Sequence, residues 1–570
     1  MEEAHTTILD LSNMSFENTK RLNEIFDMYS KSYTQFVDEL SDIWGKELFW
    51  WVNQFSSRNI FLSAAYKKIC MILLAIEMIK NGQEIKKIKV PDKEIEVVLK
   101  RYIKQKNYKI EIEVKQSLNV DKFIFANGIL SNFINIAEQV RLRSVIRKQT
   151  KQEPLLPSDE LILIETDVFS TCFSTGEYKA RDFIDILNFT EEKIYFLPYL
   201  FLNNDMTIKE LIRYMTESKQ YKFIYRENYL KLIDYIKAAV FPFYCRKYCR
   251  SSKFFQGIDV TEIINTDIIK SLYSRNSLYG ILNYYFIQRI RKKSIRVKSL
   301  IGWYEGQPSS LGLFMAFRQN YIDKNSVGYA AYPLDVRWIQ LAPSYIQQKY
   351  KVVPQKIGVA AQIFEDVVKQ FSNTVEAIIV PPFRMQGIYE EKVDISKKEQ
   401  KSLLVALPYF PEAAYRILQL LNELKDFLNK MQIKILLKNH PTKAMYTIKE
   451  YGCNELEIEY EFVSGDFNSI VQNADIVLTC TSTTSYETTL AGKPVIIISL
   501  PSEILFTYLP PEWESKRYAV AYNAVDVMEA IKIFVERPCE PLDLSNNCYL
   551  VRADKETVRV LLEGRVTHID

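Results

Sequence analysis

Apolar residues recur at three- and four-residue spacing between residues 17 and 88, where prolines and glycines are few. That periodicity predicts helices. Inside the stretch, Glu47–Ser63 (ELFWWVNQFSSRNIFLS) is dense in aromatics, which predicts core. Its Ser56-Ser57-Arg58-Asn59 turn is placed to cap the next helix. Residues 89–147 predict a short strand at Tyr108–Val114 and a helix. Lys148–Ser158 is polar and proline-bearing, the pattern of a linker.

The pattern changes near residue 160. Short apolar runs appear at Leu161–Ile164, which ends in Glu165-Thr166-Asp167, and at Lys193–Leu197, Lys298–Trp303, Val327–Ala331, Lys356–Ala360 and Val375–Val380. Helical patterns lie between them at 178–188, 207–220, 225–250 and 260–290. Strands alternating with helices predict a parallel sheet covered on both faces. A polar, charged stretch follows Pro381-Pro382. A second series then runs through strand Ser402–Pro408, helix 411–430, strands Ile433–Leu437, Ile476–Thr479 and Pro494–Ile498, and a terminal helix Ala553–Glu563. The expected fold is α/β, with two Rossmann-like domains facing a cleft and an N-terminal helical extension. The expected boundaries are 1–150 (mainly helical), 151–385 (first, acceptor-side domain), 386–400 (linker) and 401–570 (nucleotide-binding domain).

Length agrees with this division, because 570 residues exceed one ordinary domain. With 48% hydrophobic and 25% charged residues, the chain is expected to pack. A net charge of +4 is too small for a nucleic-acid footprint. The eight cysteines form no CxxC pair, and only Cys245 and Cys249 are close, so reduced thiols and a cytoplasmic setting are expected. The start, MEEAHTTILDL, has no apolar signal core. The most apolar run, Ile69–Ile76, is too short to span a bilayer. Two clusters set aromatics beside cations: Tyr284-Tyr285-Phe286 ahead of Arg289, Arg291, Lys292, Lys293, Arg296 and Lys298, and Phe241–Arg250. Each suits either the inner face of an anionic membrane or a solvated helix face over a core.

Candidate chemistry concentrates in Ile433–Leu500. One apolar run delivers Lys438 and His440-Pro441, and another delivers Thr479–Ser485, where only Cys480 lacks a hydroxyl. A polar loop after a strand, leading into a helix, is where open α/β sheets hold anions. His5 and His568 are near the ends, so His440 is the one interior imidazole. It is either a donor to a phosphate or leaving group, or a packed turn histidine. Thr481, Ser482, Thr483, Thr484 and Ser485 offer hydroxyls and amides to phosphate oxygens, or cap a helix through Ser485 and Thr488. Glu487 either complements a helix dipole or binds a ribose hydroxyl. Upstream, Gly302–Ser310 (GWYEGQPSS) holds Glu305 between glycines, as an acceptor base or a solvated turn residue. Arg384, Lys438 and Lys443 are further cations available to phosphate. There is no HExxH, histidine cluster, Walker loop or GxGxxG, so no metal and no cofactor is expected.

The order of an acidic-Gly loop (Tyr304-Glu305-Gly306), an HP dipeptide (His440-Pro441) and a Ser/Thr motif (Thr481–Ser485) resembles bacterial sialyltransferases and related CMP-sugar transferases of the GT-B fold. The resemblance implies that Glu305 is the general base, with Tyr304 in place of a first acid, and that His440-Pro441 and the Ser/Thr motif contact the CMP phosphate. More diffusely, Trp50–Ser63, Glu165–Leu197, GWYEGQP, VGYAAYP and PPFR (381–384) resemble surface-carbohydrate proteins related to Kdo transferases. The implied activity is metal-independent transfer of a Kdo-like or nonulosonic acid from a CMP donor to a bacterial surface polysaccharide or glycolipid. The implied partners are a nucleotide sugar and a glycan or glycolipid acceptor, with peripheral inner-membrane contact and no nucleic acid. The rivals are a CDP-glycerol phosphotransferase of teichoic-acid type, which shares the HP and Ser/Thr motifs, and a non-catalytic assembly subunit.

Overall fold

The computed structural model describes residues 7–115, 121–150, 160–173, 182–183, 185–201, 206–389, 400–537, 539–540, 542–545 and 547–565. The N-terminal region is helical but not wholly so. Strands β1 (Thr7–Asp10), β2 (Ile85–Val90) and β3 (Glu111–Val114) form a parallel sheet in that order. Helix Lys93–Gln105 packs on it, helices Phe16–Trp44 and Ala65–Lys80 pack on each other, and helix Asp121–Gln149 packs on helices of the first large domain. The expectation of helix through residue 88 fails at Gly82 (φ +78°), where the chain turns into the lysine-rich β2. The Ser56–Asn59 turn does not cap the next helix, which starts after Ala64 without a side-chain bond. All four of its residues are buried instead.

The first large sheet contains β4 (Glu160–Val168), β5 (Ile194–Leu200), β6 (Arg296–Trp303), β7 (Asn325–Ala330), β8 (Lys356–Val359) and β9 (Glu376–Ile379), all parallel. Their order is β9-β8-β7-β6-β4-β5, so the winding direction reverses between β4 and β6. Glu165, Thr166 and Asp167, expected to follow the strand, lie within β4, opposite Leu197, Pro198 and Tyr199.

The second sheet contains β10 (Ser402–Ala406), β11 (Lys434–Lys438), β12 (Tyr460–Phe462), β13 (Ile476–Thr479), β14 (Val495–Ile498) and β15 (Tyr518–Ala521), again all parallel. Their order is β12-β11-β10-β13-β14-β15, with the reversal between β10 and β13. This is the doubly wound order of a dinucleotide-type Rossmann sheet, and the first sheet has the flavodoxin-type order. The expected two-domain α/β fold is therefore present. β13 and β14 are buried along their whole length, as strands covered on both faces must be. Successive side chains alternate between two cores: Leu403, Val405 and Leu478 pack on the outer helices, while Leu404 and Val477 join the core shared with the first domain.

Several expected helices are shorter or broken. Residues 225–250 divide into Arg226–Tyr229, Leu232–Ala238 and Phe241–Tyr248, the last opened by Pro242. Residues 260–290 divide at Ser274, whose hydroxyl caps Arg275–Lys292. Residues 411–430 divide at Leu424. Residues 178–181 and 184 of the expected helix 178–188, the linker core 390–399, and residues 151–158 lie outside the described residues; the described part of 178–188 forms no α-helix, and Ile186–Phe189 is a 3-10 turn.

Two features hold the large sheets together. Helix Phe16–Trp44 reaches the loop after β14: the Met14 amide donates to Ser502 Oγ (2.9 Å), the Ser502 amide to Thr19 Oγ1 (3.1 Å), and the Leu505 amide to Asn23 Oδ1 (2.8 Å). Arg337, from the loop after β7, bonds Asp27 (2.7 Å) and the Leu505 carbonyl (2.6 Å). The chain end also crosses back. The Val551 amide donates to the Ala360 carbonyl (3.1 Å), and helix Lys555–Glu563 packs on the first sheet. Among the described residues, no helix is long and apolar enough to cross a membrane. In the basic clusters, Arg289 pairs with Asp234 (2.6 Å), Lys298 with Glu192 (2.5 Å) and Lys247 with Glu47 (2.7 Å).

Candidate active site

The second sheet reverses where β10 and β13 end side by side, joined by Thr479 Oγ1 donating to the Ala406 carbonyl (3.2 Å). Open α/β sheets hold ligands at such a crevice, because the flanking loops diverge there and leave room. The loop after β13 supplies Thr481, Ser482, Thr483 and Thr484, all half-buried. The Ser482 hydroxyl accepts from the Thr484 hydroxyl (2.8 Å) and amide (3.3 Å), so its own proton remains for an outside acceptor. Ser485 is different. It is buried inside helix Thr484–Leu490, and its hydroxyl bonds the Ser482 and Thr507 carbonyls (2.8 and 2.6 Å). It braces the loop. The expected Ser485–Thr488 cap is absent: the helix begins after Thr483 without a side-chain cap, and Thr488 Oγ1 donates back to the Thr484 carbonyl.

His440 follows β11, on the other side of β10. Its backbone is extended (φ −59°, ψ 140°), as the following proline requires. Nδ1 accepts from the Thr442 amide (3.3 Å) and sits 2.8 Å from Thr442 Oγ1. With Nδ1 accepting, the neutral ring carries its proton on Nε2. The ring lies edge-on to Tyr409, 5.4 Å between centroids. Tyr409 and Phe410, in the loop after β10, are 48% and 65% exposed. Large aromatics left in water at a crevice mouth suit a flat ligand group. They stand between two prolines directly after an apolar strand, a signal present in the sequence but easily read as core. Lys438 donates to the Gly465 carbonyl (2.8 Å), and burial lowers its pKa against the pull of Asp466. Lys443 donates to the Tyr446 hydroxyl (3.0 Å), and Pro441 is exposed.

Glu487 stands in the first turn of helix Thr484–Leu490. Burial pushes its carboxyl up to about 7; Arg384 pulls it down and Asp466 pushes it further up. Arg384, from the segment joining the sheets, is thereby placed beside the second domain. It is half exposed, and its guanidinium lies 3.7 Å from Asp182.

Across the cleft, Glu305 follows β6. The Glu305 carbonyl accepts from Asn59 Nδ2 (2.8 Å), and its carboxylate accepts from Gln307 Nε2 (2.7 Å). Gly306 has φ +63°, and a Cβ there would meet the Gln340 carbonyl at 2.8 Å, so only glycine fits after Glu305. Tyr304 points the other way. It is fully buried, its carbonyl accepts from the Tyr332 hydroxyl (2.6 Å), and burial raises its own pKa. Position 304 is thus a core position, and an acid there would be buried away from the cleft. The Glu305 charge reaches the second domain: with burial, Asp335 and Cys480, it raises the Tyr508 phenol. Tyr508 is held by its amide and that of Thr507 donating to Asp335 (3.0 and 2.8 Å), and it meets Trp338 edge-on at 5.4 Å. Glu305 and the Ser482 loop therefore face the same 507–508 segment from opposite domains.

No protein-family model matches the chain, and no curated protein matches it. Among solved structures it is similar to the S. aureus MnaA-UDP co-structure, at 11% identity over 70% of this chain and 94% of that one, with a TM-score of 0.41. It is similar to the UDP-GlcNAc 2-epimerase from Neisseria meningitidis bound to UDP-GlcNAc, at 9% identity over 71% and 98%, TM-score 0.39. A third is an alpha,alpha-trehalose 6-phosphate synthase from Burkholderia multivorans, at 10% identity over 72% and 93%, TM-score 0.35. Likeness at this level says nothing of substrate, and the fold stands on the strand orders above.

The strand order sets His440 after β11 and Thr481–Thr484 after β13, on either side of β10, while Arg384 acts on Glu487 by charge and Glu305 of the first domain acts on Tyr508. Tyr409 and Phe410 follow β10 itself. Among the described residues, no group of three or more His, Cys, Asp or Glu is arranged to hold a metal ion.

Proposed function

We propose that this chain is a glycosyltransferase that takes its sugar from a nucleotide donor. The observation that carries the reading is the placing of an imidazole and a hydroxyl-rich loop on either side of the second sheet's reversal, with a carboxylate on the facing domain. In this reading the donor lies at the β10/β13 crevice. Tyr409 and Phe410 pack against the base, Glu487 accepts from a ribose hydroxyl, and the Ser482–Thr484 loop and Arg384 hold the phosphate. A CMP-linked Kdo-like or nonulosonic acid is the donor favoured by the order of acidic-Gly loop, HP dipeptide and Ser/Thr motif taken together.

The reaction follows from these positions. An acceptor hydroxyl oxygen attacks the anomeric carbon while Glu305 takes its proton. The bond from that carbon to the donor phosphate oxygen breaks, and the electron pair leaves with the phosphate. His440 Nε2–H donates to the departing oxygen, where negative charge develops. Gln307 and Asn59 fix the Glu305 loop, and Thr442 fixes the imidazole tautomer. A surface glycan or glycolipid is the acceptor class.

The test is a screen of activated sugars with mass detection of the product, followed by Glu305→Gln. Transfer should fall at least a hundredfold while nucleotide affinity stays within about twofold, the pattern of a lost acid–base group. Undiminished transfer in that variant would remove Glu305 from the mechanism. No transfer from any donor, together with no nucleotide binding, would remove the reading itself.

A further inference from the structure

Residues 231–250 fold as two short helices, Leu232–Ala238 and Phe241–Tyr248, separated by Ala239 and Val240, which keep helical backbone angles. Burial follows the helical period along both. Asp234, Tyr235, Ala238, Phe241 and Cys245 are buried, while Leu232, Ile233, Ile236, Val240 and Phe243 stand in water. A surface helix ordinarily turns its polar side to solvent. Here bulky apolar side chains occupy that side, with Ile236 61% and Phe243 73% exposed. Single exposed apolar residues are ordinary, but five between 232 and 243 make a patch, and patches mark interaction surfaces.

The charge around the patch has one sign. Between 231 and 250 the sequence sets Lys231, Lys237, Arg246, Lys247 and Arg250 against a single acid, Asp234. Asp234 is buried and bound by Arg289 (2.6 Å), so it brings no charge to the surface. Lys231, Lys237, Arg246 and Arg250 are exposed. Helix Arg275–Lys292 packs beside Leu232–Ala238 and ends in the exposed Arg291, Lys292 and Lys293. Lys237 lies 5.2 Å from the Tyr285 ring of that helix, which joins the two sets of cations.

An apolar centre rimmed by cations is complementary to the surface of an anionic bilayer. Its side chains enter the headgroup and acyl boundary, and the cations meet lipid phosphates. A second copy of the chain would set the same cations against these, which like charge opposes. We propose that this face docks the chain on an anionic lipid bilayer, with Leu232, Ile233, Ile236, Val240 and Phe243 as the inserting residues. The docking surface does not depend on the glycosyltransferase reading. Helix Arg275–Lys292 nonetheless links the two: Asn276 in its first turn donates to Gln307 Oε1 (2.5 Å), and Arg289 in its last turn holds Asp234. The span from Asn276 to Arg289, at ~1.5 Å per residue, is about 20 Å. A chain docked here holds the proposed base near the bilayer that a glycolipid acceptor would occupy.

Co-sedimentation of the full chain with vesicles tests it, using phosphatidylglycerol mixed with phosphatidylcholine, and phosphatidylcholine alone. At low salt the mixed vesicles should bind the chain at least about tenfold more tightly than the neutral ones, and high salt should remove most of that difference. Ile236→Asn combined with Phe243→Ser should weaken binding to mixed vesicles about tenfold or more, because inserted apolar surface is lost. Arg246→Gln combined with Arg250→Gln should weaken it similarly, at about fivefold per cation, and leave binding to neutral vesicles unchanged. All four positions are exposed, so both double variants should keep the parent's circular dichroism and nucleotide affinity. No binding to either vesicle, equal binding to both, or unchanged binding in both double variants would overturn the proposal. So would a dimer of the lipid-free chain that Ile236→Asn with Phe243→Ser dissociates, since the patch would then be an interface between copies.

Discussion

Glu165 makes a prediction about stability that needs no ligand. Burial raises its carboxyl from the ordinary 4.5 to about 7, against a downward pull from Arg226. Next to it, burial raises the Tyr199 phenol, and the charges of Asp167 and Glu165 push it the same way. A raised carboxyl pKa means that the folded state binds the proton more tightly than the unfolded one. Stability from this group is therefore fully present below about 4.5, falls as pH rises, and is lost above about 7. At ~1.4 kcal/mol for each tenfold change in proton affinity, a rise from 4.5 to about 7 costs about 3 kcal/mol at pH 8. Glu165→Gln keeps the shape and removes the charge. With an unfolding entropy of ~2.1 cal/mol/K per residue, one transition of the whole chain converts 3 kcal/mol to about 3 °C, and unfolding of the first domain alone gives more. Thermal melts from pH 5 to 8.5 should show the variant gaining on the parent chain by that margin as pH rises. A difference that does not change with pH, or a variant less stable at pH 8 than at pH 5 relative to the parent, would refute the reasoning, because the carboxylate would then be favourably paired.

Two further outcomes follow from named contacts. Asn59→Ala removes the 2.8 Å bond to the Glu305 carbonyl and leaves that carbonyl short of a donor, so stability should fall by about 1–3 kcal/mol in denaturant melts and kcat should fall without a matching change in nucleotide affinity. Glu487 titrates near 7, and if its ionised form accepts from the ribose, nucleotide affinity should rise between pH 6 and pH 8; calorimetry of Glu487→Gln should show that slope flattened.

The sheets were legible where strands are buried on both faces. Ile476–Thr479 reads from sequence at the residues where β13 runs, because three apolar positions in a row end at a hydroxyl cluster. β12 was missed because it is a three-residue edge strand with a charged centre, Tyr460-Glu461-Phe462, and β15 because it is a four-residue edge strand of mostly small side chains, Tyr518–Ala521. β2 was missed because its lysines imitate a solvated helix. His440 and the hydroxyl loop were legible as polar residues delivered by apolar strands. Glu165 was not, since an acid after an apolar run reads as a loop; only its pairing with β5 and the space beside Gly302 place it in the sheet. Tyr304 was read as a changed site residue, and the fold makes it core. Ser485 was read as a phosphate ligand, and its hydroxyl proves to be engaged by two carbonyls of the protein itself.

The central claim is that the β10/β13 crevice holds a nucleotide. Isothermal titration of CMP, CDP and UDP into the full chain and into His440→Ala tests it most directly. The account predicts that one of the three binds, that His440→Ala weakens it about tenfold, and that Glu305→Gln, on the facing domain, leaves it unchanged. Absence of binding by all three, or equal weakening by both variants, would contradict it.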